Sequence, residues 1–151
     1  MGSRDLRKGR VSELGRVYLI TATTAERRPL FADFARARLL VDELRRLEQN
    51  NLAQSLAWVV MPDHFPWLMR LSGPMPLSSV VKALKGRTAR RLGLGLSLDA
   101  GGKVWQPGFH DRALRREDEL LPIARYVVAN PLRAGLVRRL GDYPHWDAVW
   151  L

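Results

Sequence analysis

Three side chains in two short strings carry the chemistry of a reactive site. The first string, Met61-Pro62-Asp63-His64-Phe65-Pro66-Trp67, sets a histidine inside an apolar, strand-like run. The second, Arg125-Tyr126-Val127-Val128-Ala129-Asn130-Pro131-Leu132-Arg133-Ala134-Gly135, sets a tyrosine four residues before an asparagine at the end of a helix-like run. An imidazole ligates a divalent metal or carries a proton, an amide oxygen suits a hard cation, and a phenol is a nucleophile once its proton is drawn off. Tyrosine ordinarily ionises near pH 10, so a tyrosine nucleophile at neutral pH requires a positive surrounding or a base, and the sequence identifies no base. Each residue also has a plain structural reading. Tyr126 alone on an apolar helix reads as a core residue with a bonded hydroxyl, Asn130 before proline as a helix-ending residue, and His64 beside a turn as a satisfied polar group.

The elements that must position these groups follow from periodicity. Val17 to Thr23 is β-branched and aromatic enough for a first strand. After Pro29, the apolar positions Phe34, Ala37, Leu40, Val41, Leu44 and Leu47 recur at helical spacing and predict a helix from Asp33 to about Gln49, stopped by Asn50-Asn51. Leu56 to Met61 and Phe65 to Leu71 read as two antiparallel strands about the Pro62-Asp63 interruption. Leu77 to about Leu92 reads as a second helix, with Val80, Val81, Leu84 and Ala89 turned to the core. Gly93 through Gly102 holds four glycines and predicts an exposed, mobile connection. Trp105-Gln106-Pro107-Gly108 makes a turn, Phe109 to Leu114 another strand, and Asp118-Glu119 opens a third helix running to Asn130. The order β-α-β-β-α-β-α predicts an α+β fold, a ferredoxin-like antiparallel sheet with helices packed on it.

In a regular strand, positions 64 and 66 point to the same face, where two histidines would offer two imidazoles to one ion. The second position is Pro66, which ligates no metal and removes a backbone donor from the strand. Asp63 should turn away from His64 if the strand is regular, unless the adjacent turn changes that. Tyr126 and Asn130 have the spacing of one helix face, although Pro131 disfavours helical geometry at Asn130. His110 and His145 are the other histidines, and neither stands at a spacing that replaces position 66.

The chain has 151 residues, of which 46% are hydrophobic, enough for one compact domain over 1–151 with a real core. No apolar run approaches a membrane span, and the start of the chain shows charges without a following apolar core, so we expect a soluble cytoplasmic protein without membrane association. The absence of cysteine removes thiolate metal sites and cysteine nucleophiles. The formal charge of +10, from 25 basic and 15 acidic residues, implies a polyanionic partner. Arg4, Arg7, Lys8 and Arg10 crowd a basic N-terminal arm of about residues 1–16, and Lys82, Lys85, Arg87, Arg90 and Arg91 occur within ten residues without an acid between them. Taken singly these are solvated charges; taken together they are a nucleic-acid footprint that tracks phosphates. Trp67, Trp105, Phe109 and Trp146 are candidates for stacking on splayed bases, in competition with the core.

The two strings, with Lys85-Gly86-Arg87, Trp105-Gln106-Pro107-Gly108-Phe109 and Tyr143-Pro144-His145-Trp146 in the same order, resemble the single-tyrosine HUH transposases, and most closely the REP-associated tyrosine transposases. The resemblance runs from about Val17 to the end. It implies an enzyme that cuts and joins single-stranded DNA beside hairpins, as a monomer or homodimer. By the same resemblance, Tyr126 is the nucleophile that forms a 5′-phosphotyrosine. His64, the residue at position 66 and Asn130 hold Mg2+ or Mn2+, which polarises the scissile phosphate. The family's first motif is His, a hydrophobic residue, then His; this chain reads His64, Phe65, Pro66. The departure implies weakened or absent metal and impaired cleavage, through an engineered inactive form, natural decay or a remodelled site. A non-catalytic hairpin-DNA binder and an RNA-binding α/β module of the same topology are the alternatives.

Overall fold

Alternation of apolar residues with half-buried ones builds the first strand, β1 (Val17–Thr23), where the sequence places it. The computed structural model describes residues 15–93 and 103–150. The N-terminal arm with Arg4, Arg7, Lys8 and Arg10, and the glycine-rich connection beyond Gly93, lie outside the described residues. Helix α1 (Phe34–Gln49) begins at Asp33, whose carboxylate accepts from the Arg36 amide at 3.0 Å, and it buries Ala37, Leu40, Val41, Leu44 and Leu47 on one face. Strands β2 (Ala53–Val59) and β3 (His64–Leu71) follow, then helix α2 (Leu77–Gly93), strand β4 (His110–Leu114), helix α3 (Leu120–Val128) and the short helix α4 (Asn130–Arg133).

The five strands form one sheet in the order β4-β1-β3-β2-β5, with every neighbour antiparallel. The last, β5 (Trp146–Ala148), is absent from the order the sequence implies. Its three residues carry no strand signature of their own, and pairing of Ala148 with Ala57 and of Trp146 with Val59 creates it. Side-chain alternation divides the core in two. Phe65, Trp67, Met69 and Leu71 join Tyr18 and Ile20 under α1 and α2, while Leu68 joins Val17, Leu114, Val127 and Val128 on the face crossed by α3.

Three details differ from the sequence expectation. β2 begins at Ala53, ahead of the expected Leu56, because Ala53 pairs with Leu71 despite the polar Gln54 and Ser55 between. The third helix opens with a 3-10 turn over Glu117–Glu119 and is interrupted at Ala129 before α4. Pro131 cannot donate within a continuing helix, so it occupies the first turn of a new one. Trp67 is fully buried and gives its indole N–H to Ser55 Oγ at 2.8 Å, which removes it from any role in stacking on DNA bases.

Candidate active site

His64 opens β3, the central strand, directly after the Pro62-Asp63 turn. That turn is pinned from outside: the Thr24 amide and hydroxyl both donate to the Asp63 carbonyl at 3.0 Å, and the Phe31 amide donates to the Pro62 carbonyl at 3.0 Å. Because Asp63 belongs to the turn and not to the strand, its side chain does not alternate away from His64. Asp63 Oδ1 lies 2.8 Å from His64 Nδ1, and Oδ2 accepts from Arg27 at 3.0 Å. Partial burial works to raise the Asp63 carboxyl, but the His64 hydrogen bond and the two neighbouring charges outweigh it and hold the group below the usual carboxylate range. A carboxylate on one ring nitrogen fixes the ring and leaves Nε2 as the outward-facing atom, the arrangement that orients metal-ligating histidines.

Pro66 sits two residues on, on the same face of β3 as His64, and is buried. Its imino nitrogen faces β2. The Met61 amide donates to the His64 carbonyl at 2.9 Å, and the register pairs Ala57 with Leu68 and Trp58 with Trp67, so Val59 is the next residue opposite Pro66. The β2–β3 pairing stops at Trp58, where the missing N–H would have continued it.

Tyr126 is the exposed tyrosine of the three, 63% accessible against 1% for Tyr18. Tyr143 is half-buried, and its hydroxyl donates to the Val60 carbonyl at 2.6 Å, with burial pushing its ionisation up to about 12. The Arg133 guanidinium, one helix further on, stands 3.9 Å from the centroid of the Tyr126 ring and places a positive charge against its face. Asn130 begins α4 and does not continue α3, so the two groups do not share one unbroken helix. Its Nδ2 donates to the Val127 carbonyl at 2.8 Å, which leaves the amide oxygen for another partner.

Helix α3 is laid on the His64 face of the sheet. Leu120 meets Val17, Leu114 and Arg70 around one depression, and Leu121 and Val128 meet Ala148 and Trp150 around another. Among the described residues no hydrogen bond or ring contact joins Tyr126 or Asn130 to His64. His110 pairs with Thr21, which pairs with Pro66, so it points to the same face in the same row, two strands away. His145 is buried against Phe34 and Tyr143, with burial and the Arg38 charge holding its ionisation down. Among the described residues no three His, Asp or Glu side chains are gathered as a metal cluster. His64 and Asn130 are an incomplete ligand set for a hard divalent cation.

The basic residues of α2 do not form a single stripe. Lys82, Arg87 and Arg90 are exposed. Arg91 is committed to Asp42 at 2.6 Å and to the buried Glu43 at 2.8 Å, and its hydrogen bond holds Asp42 below the usual carboxylate range despite some desolvation. Lys85 gives its ammonium to the carbonyls of Gln106 at 2.9 Å and Gly108 at 2.5 Å, and burial holds its ionisation below the usual lysine range. Arg91 is thus held by two carboxylates and Lys85 by two carbonyls, whereas Lys82, Arg87 and Arg90 stand open to solvent. Trp105 is buried with its indole N–H on the Lys85 carbonyl at 3.1 Å, and Trp146 gives its own to the Leu140 carbonyl at 3.2 Å. Arg133, the neighbour of Tyr126, was not singled out by sequence reasoning, and Asp63 was expected to turn away from His64 unless the adjacent turn intervened, as it does; both lie inside the strings that carried the reading.

The antiparallel sheet with its packed helices is a fold shared with solved transposases. The structure of a REP-associated tyrosine transposase bound to a REP hairpin superposes with a TM-score of 0.75 at 23% identity, over 91% of this chain and 79% of that one. A putative transposase from Deinococcus radiodurans superposes with a TM-score of 0.57 at 27% identity, over 76% of this chain and 91% of that one. The profile of the IS200-like transposases matches residues 15–130, and the chain belongs to that family. It is 29% identical to the REP-associated tyrosine transposase of Escherichia coli K12 over 108 residues, 71% of this chain and 61% of that protein. It is 32% identical to the ISDra2 transposase TnpA of Deinococcus radiodurans over 74 residues, 46% of this chain and 53% of that protein. The chain thus spans somewhat over half the length of these relatives. Among the described residues no helix is long and apolar enough to cross a membrane.

Proposed function

We propose that this chain is a hairpin-DNA-binding transposase that keeps its nucleophile, Tyr126, and has lost half of its histidine pair at Pro66. The observation that carries the reading is the contrast among the tyrosines: one is exposed beside a guanidinium on the sheet face that His64 shares, while Tyr18 is in the core and Tyr143 is bonded to Val60. In the reaction, the Tyr126 oxygen attacks phosphorus and loses its proton as the bond to the 3′-oxygen breaks. A 5′-phosphotyrosine and a free 3′-hydroxyl result, and attack by a 3′-hydroxyl on that phosphotyrosine reverses the step and rejoins the strand. Arg133 supplies positive charge at the attacking ring and has no carboxylate partner among the described residues. His64, oriented by Asp63, and Asn130 are the remaining groups able to hold Mg2+ or Mn2+, whose chemistry is to polarise the scissile phosphate.

DNA binding rests on the net charge and on Lys82, Arg87, Arg90 and the N-terminal arginines and lysine, within one domain over 1–151. The E. coli relative's name and the hairpin in the solved neighbour support a DNA hairpin as the ligand, and the single-stranded flank is what the family resemblance adds. Pro66 favours a second reading for the chain as it stands, a hairpin binder without cleavage. An end-labelled flanked hairpin separates the two. The unchanged chain binds it with little or no nicking in Mn2+, and Pro66→His nicks it. Nicking by the unchanged chain at the rate of Pro66→His refutes the impairment, and failure of Pro66→His to nick any such substrate leaves the binder.

A further inference from the structure

On the side of the sheet opposite Tyr126, a groove of about 620 Å³ runs between α2 and the segment 103–109. We propose that it is a binding site for an unpaired nucleotide of the single strand adjoining the hairpin, with the base on its apolar floor and a phosphate at its lysine rim. The inference rests on the DNA-binding reading above and adds to it the place where unpaired bases go.

The size of the groove is that of small-ligand sites, roughly 300–1,000 Å³. Its floor is apolar, with Trp105 and Phe109, and each charged side chain among its described lining residues is a cation: Lys82, Lys85 and Lys103. Lys85 is the informative one. Its ammonium is drawn into the wall, 5.9 Å from the Trp105 ring centroid, and among the described residues no carboxylate compensates it. Two of its three N–H donors are spent on the Gln106 and Gly108 carbonyls, which leaves one. An anion entering the groove supplies the missing countercharge.

The walls are built in advance of any ligand. Lys85 holds the 106–108 turn, Trp105 holds the Lys85 carbonyl, and Gly108, at φ +70°, makes the turn that brings both carbonyls to one ammonium. The far end of the segment is fastened to β1 by the Trp105–Thr24 bridge and by the Gln106 amide on the Thr23 carbonyl at 2.9 Å.

Gly86 is an independent sign. It lies inside α2, where glycine costs about 1 kcal/mol relative to alanine. A Cβ built there meets nothing within 4 Å, so neither packing nor backbone conformation asks for glycine. A helix surface left bare beside an apolar floor is suited to the close approach of a flat ligand. The groove also opens at the right end of the sheet: Thr23 pairs with His64, and the next residue, Thr24, bridges to Trp105.

The open space at Gly86 supplies the test. Gly86→Leu places an apolar side chain into the groove from a position where its Cβ meets nothing within 4 Å and raises helix propensity, and Gly86→Ala is the control for stability. Binding is measured by anisotropy on a blunt DNA hairpin, on the same hairpin with a flank carrying 2-aminopurine, and on the flank alone. The full-length chain should bind the flanked hairpin more tightly than the blunt one and quench the 2-aminopurine. Gly86→Leu should abolish the quenching and lose the flank's contribution, about tenfold in affinity for one stacked base, with blunt-hairpin binding unchanged. Lys103→Ala should weaken binding of the flank alone without affecting the blunt hairpin. The proposal is overturned if Gly86→Leu quenches and binds the flank as the unchanged chain does, or if an RNA flank of the same sequence outcompetes the DNA at this groove. Failure of the hairpin arm alone, with flank quenching still sensitive to Gly86→Leu, refutes the hairpin reading and keeps the groove.

Discussion

Replacing Pro66 by histidine should change metal response far more than fold stability, and both effects can be worked from the strand pairing. The amide created at position 66 faces Val59, so the substitution returns one interstrand hydrogen bond, about 0.5–1.5 kcal/mol. Against this, the unfolded chain loses the stiffness of proline, about 0.4–1 kcal/mol. Without metal the two chains should therefore agree within about 1 kcal/mol. With metal they should part. The new imidazole shares a face with His64, whose ring Asp63 already fixes at 2.8 Å. Loss of an orienting neighbour alone weakens a metal site by about 10- to 100-fold, so loss of a ligand should weaken it by about a hundredfold or more. At Mn2+ one hundred times the dissociation constant of Pro66→His, that form gains about 2.7 kcal/mol, whereas a site a hundredfold weaker gains about 0.4 kcal/mol. Urea unfolding of both chains with and without Mn2+ reads the difference, about 2 kcal/mol. Equal gains would mean that another group, such as His110 in the same row, completes the site, and no gain in either would mean that this face is not a metal site.

Arg91→Ala should destabilise the protein by about 3–5 kcal/mol in urea, because it strips the main partner from Glu43, which is 2% exposed and already has one oxygen unbonded. Replacing Lys82, Arg87 and Arg90 together by alanine should leave stability within about 1 kcal/mol and reduce the slope of log affinity for hairpin DNA against log salt by about 0.9 for each phosphate that is no longer neutralised; an unchanged slope would remove α2 from the phosphate track. Tyr143→Phe should cost about 0.5–1.5 kcal/mol through loss of the bond to Val60. Because the folded protein holds this phenol neutral up to about 12, its contribution is complete below the ordinary value near 10 and is lost as pH rises toward 12. The stability difference between the two chains should shrink across that interval, and a constant difference would refute the assignment.

The elements legible in the sequence are those whose own residues dictate them. β1 and α1 match their expected spans because β-branched alternation and a capped 3.6 period are local signals. β5 and the first residues of β2 were not legible, since both exist through pairing with distant partners. The break at Ala129 was foreshadowed by Pro131, yet its form, a fresh turn starting at Asn130, depends on proline being accepted at a helix start. At the site, residue types and order were enough to pick out His64 and Tyr126. Side-chain commitments were not: Asp63 on His64, Arg91 on Glu43 and Lys85 on two carbonyls are tertiary interactions that redirect charges which in the sequence look free.

A nucleophilic Tyr126 kept by a chain whose metal site is broken leaves a covalent trace once that site is restored. Pro66→His is incubated with Mn2+ and a flanked DNA hairpin, digested, and mapped by mass spectrometry. A 5′-phosphonucleotide should appear on Tyr126, abolished by Tyr126→Phe with hairpin affinity kept, with little or no adduct on the unchanged chain. An adduct that survives Tyr126→Phe, or one mapped to Tyr18 or Tyr143, contradicts the assignment of Tyr126.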